Sequence, residues 1–271
     1  MDVTSTTSSA IEVEDLVKTY GQVEAVRGVS FDVARGEVFG FLGPNGAGKS
    51  TTINMLCTLA RPTSGTARVA GFDIVGERDD VRRHLGLVFQ DPTLDGQLTA
   101  TQNLRLHADL YGIEREVIPE RMRQMLEMVD LWDRRDQPVM TFSGGMKRRL
   151  EIARGLMHSP RVLFLDEPTI GLDPQTRNAI WSYIRALQES EGTTIFMTTH
   201  YMDEAEVCDR VAIMDRGEIV VLDTPDALKA NIGAETLDEV FLHHTGSSTR
   251  DADASPDRQS SAIQVFSKGA R

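Results

Sequence analysis

The residues of this chain best suited to chemistry form the run Gly43-Pro44-Asn45-Gly46-Ala47-Gly48-Lys49-Ser50. Glycines at this spacing let successive backbone N–H groups turn inward as a nest for phosphate oxygens. Lys49 can reach the outer phosphates of a nucleoside triphosphate, and the Ser50 hydroxyl can ligate Mg²⁺. The run follows the strand-like segment Glu37 to Leu42 and leads into a helix at Thr51, whose N-terminal dipole favours anions. Strand, glycine-rich turn and helix together are the context that a P-loop requires.

A P-loop needs a second acidic group to position the metal. Val162-Leu163-Phe164-Leu165 reads as a buried strand ending in Asp166, at the strand end where open α/β sheets bind ligands. The next residue, Glu167, precedes a proline turn and is placed to polarise a water aimed at the γ-phosphate. Gln90 and His200 each close an apolar strand. Gln90 is a candidate for Mg²⁺ or the attacking water, and His200 for the γ-phosphate through its imidazole N–H. Taken singly, each is a weak signal, since a lone strand-end histidine is more often a surface or satisfied core residue. Ser143-Gly144-Gly145 is a second small-residue turn before a helix, with Ser143 as its N-cap. One nucleotide does not need two nests in one chain, so the second points to a nucleotide held by another copy.

These residues must be carried by an α/β fold. Strands are expected at 11–17, 26–33 and 37–42, with a turn at Lys18-Thr19-Tyr20-Gly21, and short β pieces at 66–70 and before Ile74. A charged helix at 78–84 precedes a strand at 85–90. From Asp91 to Met140 the pattern turns helical. A capped helix carries Leu104 and Leu110, and a second, opened by Pro119, carries Met122, Met125 and Leu126, with the methionines as packing residues. Helices are expected at 147–157, 174–189 and 202–208, a strand at 193–198 and a hairpin at 210–222. The fold class is therefore α/β, a P-loop NTPase with a parallel core sheet. It carries a small N-terminal antiparallel β layer and an inserted helical subdomain at about 91–160. The ATP-binding domain spans 11–224, a short extension 225–244, and a Ser-, Asp- and Thr-rich tail 245–271 that is expected to be disordered.

Composition narrows the setting. The 271 residues carry 41 acidic and 29 basic side chains, a formal net charge of -12. The tail holds Asp251, Asp253 and Asp257 against Arg250, Arg258, Lys268 and Arg271, so the acidity belongs to the rest. That balance argues against non-specific nucleic-acid binding. No apolar run reaches the roughly 18–20 residues of a membrane span. The opening residues resemble neither a secretory signal nor a transit peptide. Cys57 and Cys208 alone indicate no disulfide framework, which fits a reducing, cytoplasmic setting.

The ordered set of Gly43 to Ser50, Gln90, Phe142 to Met146, Val162 to Glu167, Gly171-Leu172-Asp173 and His200 resembles the nucleotide-binding subunits of ATP-binding-cassette (ABC) transporters. The resemblance covers about residues 11–222. Segments 89–95, 142–173 and 237–242 are most like the daunorubicin/doxorubicin-resistance type of exporter ATPase. The resemblance implies ATP and Mg²⁺ as ligands, with Tyr20 stacked on adenine and Gly43, Pro44, Asn45, Gly46, Ala47, Gly48, Lys49, Ser50 and Thr51 around the phosphates. Ser50, Gln90 and Asp166 would serve the metal, and Glu167, Gln90 and His200 catalysis. Ser143, Gly144 and Gly145 would bind the γ-phosphate of the opposite subunit in a homodimer, with Asp173 also at the dimer contact. Phe142 and Met146 stand where leucine and glutamine are commoner, but the residues that form the nest remain. A separate transmembrane permease is implied, with this chain peripheral on the cytoplasmic face of the membrane. The competing readings are an importer ATPase, a soluble ABC-type ATPase and a small-molecule kinase.

Overall fold

The computed structural model describes residues 9–91 and 93–246. Strands β1 (Ser9–Tyr20) and β2 (Val23–Ala34) form an antiparallel hairpin, and β3 (Val38–Leu42) then enters a second sheet. Helix α1 (Lys49–Leu56) follows, and β4 (Ser64–Val69) and β5 (Phe72–Asp73) return to the first sheet, ordered β2-β1-β4-β5. Helix α2 (Arg78–His84) and β6 (Leu85–Val88) precede the helical segment α3 (Ala100–Leu110), α4 (Ile118–Met128) and α5 (Gly144–Gly155). The chain continues through β7 (Val162–Asp166), α6 (Pro174–Glu191), β8 (Thr194–Thr199), α7 (Met202–Ala205), β9 (Arg210–Asp215) and β10 (Glu218–Asp223). It closes with α8 (Pro225–Ile232) and α9 (Leu237–Thr245). The second sheet is ordered β10-β9-β3-β8-β7-β6, parallel except for the β9–β10 edge pair.

The apolar runs of β3, β7 and β8 follow from burial on both faces. Alternate residues point opposite ways, so the same strands feed two cores. Phe39, Phe41, Phe164 and Phe196 face the antiparallel layer and α1, where Phe31 stacks on Phe39 at 5.5 Å between ring centroids. Leu42, Leu163, Leu165, Ile195 and Met197 face the other way, into a core shared with Leu104, Met125, Leu126 and Trp181 of the helices. Met125 is buried there and Met122 packs at its edge, as expected of packing methionines.

Local signals explain the helical segment. Thr99 and Gln102 exchange hydrogen bonds as a capping box for α3, and Pro119 sits in the first turn of α4. Four expectations need correction. Lys18, Thr19 and Tyr20 belong to β1, because they pair with Val26, Glu24 and Val23, leaving Gly21-Gln22 as the turn. Strand β6 stops at Val88, so Phe89 and Gln90 lie beyond it. Helix α5 begins at Gly144, before the expected Lys147, and α7 ends at Ala205. The disorder expected over 245–271 falls outside the described residues, apart from Thr245, which ends α9, and Gly246.

Candidate functional site

Gly48 begins α1 from a left-handed conformation, φ 110°, and a Cβ there would lie 2.5 Å from the Ala25 carbonyl oxygen. Only glycine meets both demands. The first amides of α1, at Lys49, Ser50 and Thr51, have no carbonyl one turn behind them within the helix. Thr52 is the first to find one, donating to the Gly48 oxygen at 2.9 Å. The turn thus ends in outward amides beside a lysine. Lys49 is buried and its ammonium donates to the carbonyls of Gly43 at 2.7 Å and Pro44 at 3.2 Å, with Glu167 Oε1 at 3.7 Å. Burial pushes this ammonium below its ordinary pKa, with Glu167 and Asp166 opposing.

Strand β7 delivers the carboxylates. Asp166 Oδ1 accepts from Ser50 Oγ at 3.2 Å and from Thr198 Oγ1 at 2.5 Å. Parallel pairing of β7 with β8 puts Asp166 opposite Thr198, and Thr198 Oγ1 also accepts from the Glu167 amide at 3.0 Å. Glu167 holds φ at 46°, an uncommon conformation for glutamate that the Thr198 contacts help to maintain. Burial pushes its carboxyl up, but contacts with His200 and Lys49 outweigh that and hold it below the ordinary value. It is therefore an anion at neutral pH. His200 Nδ1 stands 3.4 Å from Glu167 Oε1, in ion-pair range but out of hydrogen-bond alignment. That buried nitrogen has no hydrogen-bond partner among the described residues, so it keeps a polar valence to spend on a ligand.

The structure thus gathers Lys49, Ser50, Asp166, Glu167 and His200. Gln90 stands exposed past β6, near the cleft described below but bonded to none of these five. Tyr20 is 50% exposed at the hairpin end of β1, opposite Val23, with the Lys18 ammonium 4.7 Å from its ring centroid. Its partner strand β2 runs on to Ala25, whose carbonyl oxygen packs against Gly48.

Ser143, Gly144 and Gly145 lie elsewhere. Ser143 Oγ caps α5 by accepting from the Met146 amide at 3.3 Å. A Cβ on Gly145 would fall 2.4 Å from Thr176 Cγ2, so the turn is pressed onto the start of α6. Asp173 caps that helix, its carboxylate bonded to the Thr176 amide at 3.0 Å and hydroxyl at 2.6 Å. Among the described residues no hydrogen bond joins this turn to Gly43–Ser50.

Sequence reasoning missed Thr198, Glu204 and Arg148. Three of the six residues of β8 are threonines, so nothing in the sequence singles out Thr198. Glu204, buried on α7, accepts from Thr199 Oγ1 at 2.5 Å and from Thr169 Oγ1, so it ties the segment after Glu167 to the strand before His200. Arg148 and its partner Glu151 are the buried charges of α5.

A family model described as ABC transporter matches residues 26–170. The chain is 46% identical over 229 residues to the daunorubicin/doxorubicin resistance ATP-binding protein of Streptomyces peucetius, covering 84% of this chain and 69% of that protein. It is 42% identical over 228 residues to the linearmycin resistance ATP-binding protein of Bacillus subtilis, covering 84% and 73%. Among solved structures, it is similar to a dimeric ATP-binding cassette in a post-hydrolysis state bound to ADP and Pi. There the TM-score is 0.72 at 28% identity, covering 79% of this chain and 98% of that one.

Proposed function

The chain belongs to the ABC transporter family as an exporter-type ATP-binding subunit with ATPase activity, and from that premise we propose how its residues divide the work. Two copies sandwich ATP head to tail, each supplying Gly43–Thr51 to one nucleotide and Ser143–Gly145 to the other. The observation that carries this reading is the separation of the two glycine turns. One converges with Asp166, Glu167 and His200, and the other rests on Thr176, with no hydrogen bond to those three residues among the described residues.

Within each site Lys49 turns from the Gly43 and Pro44 carbonyls to the phosphates, while Glu167 keeps its contact with His200. Glu167, ionised and held by Thr198, takes the proton of the attacking water as the new P–O bond forms and ADP leaves with the electrons of the old one. The unspent His200 nitrogen meets a γ-phosphate oxygen. Ser50 and Asp166 offer adjacent hard oxygens that suit Mg²⁺, which would neutralise charge on the transferring group. Gln90 meets the same region once the dimer closes, and Tyr20 stacks on adenine with its exposed face.

No helix among the described residues is long and apolar enough to cross a membrane. We assign the chain to the cytoplasmic face of a membrane, held there by a separate permease that exports a hydrophobic, drug-like compound. The resistance relatives favour export over import. The test is a cysteine pair, Ser143→Cys with Asn45→Cys. It is expected to crosslink between subunits in ATP when Glu167→Gln prevents turnover, and not in ADP. Crosslinking that ignores nucleotide would sink the sandwich.

A further inference from the structure

Helix α5 carries three charged residues one turn apart, Arg148, Glu151 and Arg154, and the first two are almost fully buried. Arg148 Nε donates to the Pro168 carbonyl at 2.6 Å, Nη2 to the Asp166 carbonyl at 3.1 Å, and Nη1 to the Phe89 carbonyl. Its Nη1 also lies 3.3 Å from Glu151 Oε2. The other oxygen of Glu151 accepts from the Thr93 amide at 2.7 Å, and Arg154 donates to the Thr93 carbonyl at 2.9 Å.

The targets of these bonds form a pattern. Phe89 and Thr93 stand on either side of Gln90, while Asp166 and Pro168 stand on either side of Glu167. Each of the two residues is bracketed by backbone groups anchored to one helix, and that helix is capped by Ser143. A cleft of about 300 Å³ between these segments is lined by Gln90, Gly144, Arg148, Glu151, Pro168 and Leu172. A buried ion pair is not needed for stability, since apolar residues of similar volume serve as well or better. What the guanidinium adds is direction, because its donors form a rigid planar fork.

We propose that Arg148, completed by Glu151, is a positioning residue that holds Gln90 and Glu167 in one frame with the Ser143–Gly145 turn of the same chain. The consequence is coupling. When the turn engages the nucleotide of the other copy, the helix it opens carries the chain's own Glu167 and Gln90 into register. This deepens the reading above and rests on its assignment of Glu167 and Ser143–Gly145.

Arg148→Met alone leaves Glu151 buried and unpaired, so the decisive variant is Arg148→Met with Glu151→Leu, which removes both charges. Three measurements are made on the full chain: thermal unfolding, steady-state ATPase kinetics, and amide exchange over residues 89–94 with and without ATP. The double variant is expected to unfold within a few degrees of the parent and to keep its KM. Its kcat is expected to fall roughly 10- to 100-fold, the scale of a small misplacement of reacting groups. Exchange at 89–94 is expected to quicken and to lose its response to ATP. Parental kcat in the folded double variant would overturn the proposal, whatever Arg148→Met does alone, by showing that the pair only fills space. If Glu167→Gln, assayed beside it, turns over like the parent, the assignment of Glu167 fails instead. The exchange at 89–94 then still decides whether Arg148 holds the Gln90 segment.

Discussion

The turn before α1 and the turn before α5 are built from the same materials, small residues at a helix N-terminus, yet the chain finishes only one of them. Around Gly43–Ser50, the buried Lys49 and His200 both stand against Glu167, and Asp166 is bonded to Ser50. Ser143 and Gly144 are exposed, and the turn is backed by Leu172 beside Gly144 and Thr176 beside Gly145. The difference teaches where preorganisation resides. On the proposed reading, the first turn is partly neutralised before its ligand arrives, whereas the second is braced from behind to meet a ligand held by the other copy.

The first way to break that comparison is to remove the assembled chemistry. Glu167→Gln preserves shape and the backbone bonds to Thr198 but deletes the base. A general base contributes typically about 10²- to 10⁴-fold, and a loss of kcat in that range is expected with ATP affinity retained. Phosphate release and binding of a fluorescent nucleotide measure the two separately. A loss below about tenfold would move the base elsewhere and dissolve the contrast between a finished and an unfinished turn.

The second strikes the brace. In Gly145→Ala the new methyl would meet Thr176 Cγ2 at 2.4 Å, so backbone or side chain must yield. Overpacking of this kind costs about 1–3 kcal/mol, and a turn so displaced is expected to lose roughly tenfold in turnover without losing single-chain ATP binding. Adding Thr176→Ser removes only the offending methyl, leaving the hydroxyl 3.4 Å from the new Cβ and still able to bond Asp173. Recovery of ATPase in the double variant is the outcome that ties the loss to this one contact. Without recovery, the close packing of the turn is incidental.

The two regions also differed in how far they could be read from sequence. The P-loop and the Asp166-Glu167 strand end were legible because their chemistry is local: contiguous residues form the nest, and an unbroken apolar run marks a strand buried on both faces. Ser143 was legible as a cap, while the helix it opens was started three residues late, since two glycines weaken any helical signal. Thr198 and Arg148 were not legible. They act across strand pairing and helix packing, at separations in the chain of 32 and 59 residues for the bonds to Asp166 and Phe89, and no local pattern encodes such pairing. Glu204 escaped for a related reason, as an acid in a charged stretch gives no sign that folding will bury it.

Glu204 provides the smallest and most discriminating test, because the two regions should respond to pH in opposite senses. Its carboxyl is pushed up to about 7, chiefly by burial and against the hydrogen bond from Thr199, whereas its ordinary value is 4.5. Between those values the native state holds a proton that the unfolded chain has released. The contribution of this group to stability therefore falls as pH rises across the window, and is level above it. Asp173, fully exposed at the brace, is held below its ordinary value by its bonds from Thr176, so its contribution is present above that ordinary value and lost on acidification. Urea unfolding of parent and Glu204→Gln at about pH 5.5 and about pH 8, both above the sequence pI near 5.0, isolates the first effect. The variant should gain on the parent by on the order of 2 kcal/mol between the two conditions. Parallel behaviour would mean that Glu204 is already ionised in the native state. The bridge from Thr169 to Thr199 would then be a charged strut, and the finished turn would owe its order to charge rather than to a shared proton.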